Sequence, residues 1–170
     1  DTEATIAALL GQTTAAKATG AIAAALAAAE RASQLSPAEP SLWPLMLSLY
    51  ETSEEWTRLV ESAIRMSRFA KTTHDERDLL FDAGRVALLH LKHEDRAFDI
   101  LHRVFELQAD FPPLILLLGE YHLTAEEPDE AEGFFKRLVD RPDLGSAEER
   151  RAAWRRIGEI ADARGKAGAA

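Results

Sequence analysis

Between Phe81 and Leu138 the chain writes one pattern twice at a fixed offset. Phe81 with Ile115, Asp95 with Asp129, Ala97 with Ala131, Leu101 with Phe135 and Val104 with Leu138 all stand 34 positions apart. Each copy reads as a helix, a tight turn and a second helix, because apolar residues recur at three- and four-residue intervals on either side of a polar break. A two-helix unit of that length cannot bury its apolar faces alone, so neighbouring units must cover one another. The pattern therefore predicts an all-α fold, a solenoid of antiparallel helix pairs.

Composition narrows the function classes. At 170 residues the chain can bury roughly 70% of its unfolded surface, enough for one domain without staples. Cysteine is absent, which removes disulfides, thiolate nucleophiles and Cys-based metal sites. Twenty Lys and Arg against 29 Asp and Glu give a net charge of −9, and an acidic chain repels a phosphate backbone, so no nucleic-acid partner is expected. No apolar run reaches the ~18 residues of a membrane span; the nearest is Ala21 to Ala29. The polar Asp1-Thr2-Glu3 start and the long lead before that run speak against a signal peptide. The Ala- and Arg-rich usage suggests a bacterial source, but nothing in the chain sets a compartment.

Residues 1–35 read as helix, with Gly11 interrupting a first segment and Gly20 dividing the Ala-rich stretch that follows. Ala25 precedes Leu59 by 34, so this region is either a degenerate first repeat or a pair of capping helices. Ser36 to Ser41 is a breaker cluster, and Pro44 then falls in the first turn of a new helix. Thr52-Ser53-Glu54-Glu55, Thr73-His74-Asp75-Glu76 and Ser146-Ala147-Glu148-Glu149 each have the spacing of a capping box. Leu59 to Ala97 is 38 residues, and one extra helical turn would absorb the surplus. Asp110 is expected to cap the helix that opens with Pro112-Pro113. Leu114 to Leu118 is apolar on every face and needs cover all round.

Trp43, Leu47 and Tyr50 on one helix and Leu59 midway along the next resemble the tetratricopeptide repeat, as do Trp154, Ile157, Gly158 and Ala161 near the end. Leu at 47 and 59 replaces the family's usual small residue. The resemblance implies a right-handed α-solenoid of about 3.5–4.5 repeats in a single domain, residues 1–170. Its helix pairs would span 40–71, 74–109 and 112–141, with 146–165 as the first helix of a partial repeat or a terminal cap. The segment then reads as part of a larger repeat protein.

Chemistry finds little purchase. His90 and His93 could share a helix face for zinc, but His93 falls in a turn and no third ligand is patterned. Asp99-x-x-His102 imitates half of a di-iron carboxylate motif without a second copy. There is no P-loop, no dinucleotide fingerprint and no nucleophile elbow. Glu148, Arg151 and Arg155 read as a solvated helix face, and Trp43, Trp56, Phe134, Phe135 and Trp154 as core aromatics at helical spacing. No cofactor or metal is expected.

What the family resemblance implies is a non-catalytic interaction module, whose first helices line a concave groove. The groove-facing places fall on Ser48, Glu51, Asp82, Val86, His90, Leu116, Glu120, Leu123, Arg155 and Glu159. Asp82 and Val86 stand where the best-known family groove carries Lys and Asn for a partner's C-terminal carboxylate, so that mode is not expected. An apolar floor with acidic margins suits a peptide or helix of a protein partner, with apolar anchors flanked by Lys or Arg. Two rivals stand beside this expectation: a structural segment that self-associates through its terminal repeats into a homo-oligomer, and a metal-dependent helical-bundle enzyme.

Overall fold

The computed structural model describes residues 2–39 and 41–168, so Asp1, Pro40 of the expected linker, and Ala169-Ala170 of the tail lie outside the described residues. Among those described, secondary structure is entirely helical: α1 (Thr2–Ala18), α2 (Ile22–Leu35), α3 (Leu42–Ser53), α4 (Trp56–Ser67), α5 (Thr73–Val86), α6 (Glu94–Leu107), α7 (Pro112–Thr124), α8 (Pro128–Val139) and α9 (Ala147–Gly168). A π-helical turn, Ala87–Leu91, continues α5. By compactness the chain forms two units, residues 1–107 and 108–170.

The helices pair through one recurring turn. Gly20, Glu54, Lys92 and Glu126 each sit in the left-handed region, with φ of 76°, 55°, 56° and 61°. Their spacings of 34, 38 and 34 residues are those of the apolar repeat, so α1/α2, α3/α4, α5/α6 and α7/α8 all reverse direction by the same device. Only Gly adopts this conformation without steric cost, because a Cβ crowds the following carbonyl. Gly11, expected to interrupt the first helix, lies inside a continuous α1; the break falls at Gly20.

Other local signals shift by a residue or dissolve. Thr52 and Ser53 end α3 instead of capping α4, and the Thr52 hydroxyl donates back to the Ser48 carbonyl at 2.7 Å. At α5 the cap is Thr72, whose Oγ1 accepts from the Asp75 amide at 3.1 Å, one residue before the expected box. Ser146 and Glu149 do form the reciprocal pair: the Ser146 amide donates to Glu149 Oε2 and the Glu149 amide to Ser146 Oγ. Asp110 caps nothing; Phe111 holds the N-cap of α7, and Asp110 accepts from Arg137 and Arg141 at 3.0 and 3.2 Å. α9 runs unbroken through Gly165 to Gly168.

In unit 1 the core runs through Ala25, Ala29, Leu42, Met46, Leu49, Leu59, Val60, Ala63, Ala83, Ala97 and Val104, all fully buried. Tyr50 is also fully buried, and its hydroxyl donates to Glu30 Oε1 at 2.7 Å. A phenol has one proton, so Ser62 Oγ, 2.9 Å away, must donate to the Tyr50 oxygen. Arg58 holds Glu30 from the far side at 2.7 Å, which ties α2, α3 and α4 together. In unit 2 the core is Ile115, Ala131, Phe135, Leu138, Ala153 and Ile160. The all-apolar face of α7 is covered at Leu114, Ile115 and Leu117 and half-open at Leu116 and Leu118.

Two glycines set the approach of the paired helices. A Cβ on Gly84 would lie 2.5 Å from Leu101 Cδ2, and one on Gly119 would lie 2.5 Å from Phe135 Cε1. Gly119→Ala should therefore cost about 1–3 kcal/mol through overpacking, read from urea unfolding at constant m. Glu126→Gly should do the reverse and raise stability by roughly 0.5–1 kcal/mol, because the native φ is already positive. A destabilised Glu126→Gly chain would show that the turn is held by the side chain and not by the backbone.

Candidate functional site: the faces of the first helices

In unit 1, α3 and α5 are cross-linked by polar side chains along one face. Trp43 Nε1 donates to Asp82 Oδ2 at 2.8 Å, and Arg85 reaches Glu51 at 3.1 Å and Asp82 at 3.8 Å. One helix further, Lys17 of α1 donates to Ser48 Oγ at 2.5 Å. Ser48, Glu51 and Asp82 thus lie together on a continuous face, each already engaged within the molecule.

Val86 and His90 do not join them. Val86 is 0% exposed and has no surface to offer a partner. Counting from the small residue of each first helix shows why: Glu120 and Glu159 each follow a glycine by one, and the residue that follows Gly84 by one is Arg85. Val86 is one position out of register, which on a helix is a rotation of about 100°. His90 stacks on Trp56 of α4, with ring centroids 3.8 Å apart and an interplanar angle of 21°. It belongs to the π turn, which holds an extra residue and turns every following side chain relative to the α register. The four surplus residues of this repeat thus go into a lengthened first helix that ends in a π turn, which plain α-helical counting does not foresee.

In unit 2, Glu120, Leu123 and Glu159 converge. Arg156 of α9 donates to both carboxylate oxygens of Glu120, at 2.7 and 2.8 Å, and to Glu159 Oε2 at 2.7 Å. Two acids on one base leave that edge negative, and they push the guanidinium pKa further up, so its charge is constant. The pairing residue is Arg156, not the neighbouring Arg155, which is exposed. Beside this cluster lies a crevice of about 370 Å³, lined by Leu123, Pro128, Ile160 and Ala163 with Glu159 and Arg164 at its rim. Arg164 in turn pairs with Asp129 and Glu132, closing the far side. Leu116 is half-buried on α7.

The histidines considered as ligands are placed apart in role. His90 is stacked as described, and His102 sits 3.7 Å from Glu106 on the surface of α6. Among the described residues no three His, Asp or Glu side chains are grouped to hold a metal ion, and no helix is long and apolar enough to cross a membrane. Phe135 is core, whereas Trp154 is 59% exposed, against the expectation that the helically spaced aromatics would be buried.

Antiparallel helix pairs of about 34 residues, each reversing at a left-handed turn, define an all-α solenoid fold of the tetratricopeptide-like kind. Among solved structures MamA is similar, with a TM-score of 0.62 and 15% identity over 81% of this chain and 78% of that one. At that identity the likeness is one of fold. No protein-family model and no curated protein sequence matches the chain.

Asp82 gives the face a pH signature. Burial pushes its carboxyl above the usual range, while the Trp43 N–H and the Arg85 charge pull it back less strongly. The folded state therefore holds this proton more tightly than the unfolded chain does, and the resulting stabilisation is lost as pH rises through the raised pKa. Relative to wild type, Asp82→Asn should gain stability as pH climbs through and above the usual carboxylate range and then level off, measured by urea unfolding at a series of pH values. A gap independent of pH would mean that the carboxyl titrates as if in water.

Proposed function

We propose that the chain is a non-catalytic protein-interaction module within a larger repeat protein, binding a peptide or helix of a partner along the faces of its first helices. The observation that carries this is the unit 2 crevice, an apolar concavity bordered by a carboxylate-rich ion-pair cluster. Apolar pockets with a few placed charges fix both the affinity and the register of an extended or helical ligand. The surplus carboxylate favours Lys or Arg beside the apolar anchors, and the net charge of −9 steers such ligands from a distance.

The weight within the expected residue set is uneven. Glu51 and Asp82 already hold Arg85, and Glu120 holds Arg156, so a partner gains little from them. Leu116 and Leu123 have apolar surface left to give, and Glu159, though it also holds Arg156, is the more exposed of that arginine's two acids. Ser48 joins them only if Lys17 swings away.

The test is a fluorescence-anisotropy titration with a labelled peptide carrying Leu and Phe anchors at i, i+3 and i+4, flanked by Lys and Arg. Leu123→Asp should weaken binding by at least about tenfold, equivalent to ~1.4 kcal/mol. Glu159→Lys should weaken it less and flatten its salt dependence. Equal affinity of both variants and wild type would remove this crevice from the account.

A further inference from the structure

A basic residue followed by an apolar one recurs along the second helices of unit 1. Counted from the fully buried Ala25, Leu59 and Ala97, an arginine stands six residues on, Arg31, Arg65 and Arg103, and a large apolar residue ten on, Leu35, Phe69 and Leu107. Four residues make about one turn, so each apolar side chain lies one turn beyond its arginine, where the helix ends. The third copy is closed: Arg103 is held by Glu76 and Glu106, both at 3.1 Å, and Leu107 is half-buried. In unit 2 the arginine of that place, Arg137, takes Asp110, which stands 34 residues after Glu76.

The first two copies are open. α3 has no acid in its first turn to match Glu76, and Arg68 stands where α6 has Glu106. Among the described residues Arg65 reaches only the Ser33 hydroxyl, at 3.3 Å, and Arg31 and Arg68 have no hydrogen-bond or ion-pair partner. Leu35 and Phe69 are 48% and 52% exposed. α2 and α4 lie side by side, since Arg58 holds Glu30 and Arg65 reaches Ser33. Their C-terminal ends therefore form one edge on which two apolar side chains are set among three uncommitted arginines, in a chain of net charge −9. The acids of these two helices are Glu30, spent on Arg58, and Glu61, one turn before Arg65. Cations near a helix C-terminus complement its dipole, which accounts for Arg65 and Arg68 as local charges. It gives no reason for a large apolar residue to stand open beside each arginine.

We propose that this edge binds an acidic, extended segment of a partner protein, with Leu or Phe set between its carboxylates. Neighbouring helix axes lie about 8–10 Å apart, a span that an extended chain covers in about three residues at ~3.3 Å each. Carboxylates three residues apart would thus meet Arg31 and Arg65, and the apolar side chains between them would lie on Leu35 and Phe69. The array's own continuation is not the occupant, because an added helix pair stacks on the outermost pair, and α4 is already packed between α3 and α5. An anionic bilayer fits less well, since a flat surface would also meet Glu61 and the exposed acids Asp99 and Glu106 of α6, which a narrow segment avoids. The edge lies within unit 1 and the crevice within unit 2, and their ligands have opposite charge, so either can fail without the other.

The probe is a fluorescein-labelled peptide, Gly-Glu-Leu-Gly-Glu-Phe-Gly-Glu-Gly, titrated into the full chain and followed by anisotropy. Binding should saturate, and replacing the peptide's glutamates by lysine should abolish it. Arg31→Glu and Arg65→Glu should each weaken binding at least about fivefold and Phe69→Ser about tenfold. All three side chains are exposed, so the variants should fold. Arg96→Glu, on α6, makes the same change in net charge away from this edge and should leave binding within about twofold. Binding unchanged by Arg65→Glu and Phe69→Ser, an equal loss with Arg96→Glu, equal affinity for the lysine peptide, or no saturation up to about 1 mM would overturn the proposal. So would sedimentation with phosphatidylserine vesicles that Phe69→Ser abolishes, which would assign the edge to a bilayer. A concentration-dependent mass in light scattering that Phe69→Ser abolishes would equally overturn it, by assigning the edge to a second copy.

Discussion

The structure depends on the closeness with which one helix can approach its neighbour, and that closeness is set by a missing side chain. Leu101 over Gly84 and Phe135 over Gly119 are contacts in which a methyl group would already be too much. Interiors are packed to crystal-like density, so a seat of this kind fixes the distance and rotation of the pair together. The buried alanines Ala97 and Ala131 extend the same close approach along the second helix. Gly20, Glu54, Lys92 and Glu126 then reverse the chain at the same phase in every pair, even where three of the four bear a side chain in a conformation that disfavours one.

Few polar side chains enter this packing, and those that do are satisfied where they lie. The Tyr50 hydroxyl is satisfied by Glu30 and Ser62, and Asp82 by Trp43 and Arg85, so the polar groups that burial isolates find partners inside the molecule. The same holds on the first-helix faces: carboxylates that look available in the sequence, Glu159 among them, are committed to arginines, and what stays open beside them is the apolar crevice and the half-buried leucines.

Where the amino-acid order misled, the cause was phase. Capping boxes depend on which residue ends the preceding helix, and Thr52 was still inside α3 when its spacing suggested a start. The 34-residue offset that sets Phe81 on Ile115 also sets Val86 on Glu120, but Gly84 and Gly119 stand 35 apart, a difference of one residue and about 100° that turns Val86 inward. His90 falls in the π turn, whose extra residue leaves no composition signature. Glu120 and Glu159 share Arg156 at one edge of unit 2, and Leu123 lines the crevice beside them.

The sequence by itself determined the helices, their pairing and the 34-residue beat, because helical periodicity, turn residues and the small seat residues are local properties that repetition makes legible. It also showed which side chains carry charge. Only the tertiary structure decided which of those charges are spent on one another, since Glu51 with Arg85 and Glu120 with Arg156 lie 34 and 36 residues apart and meet only when helices stack. The same holds for Trp154: its helical spacing is that of a core residue, and it is exposed because a side chain becomes core only when a second helix is there to cover it.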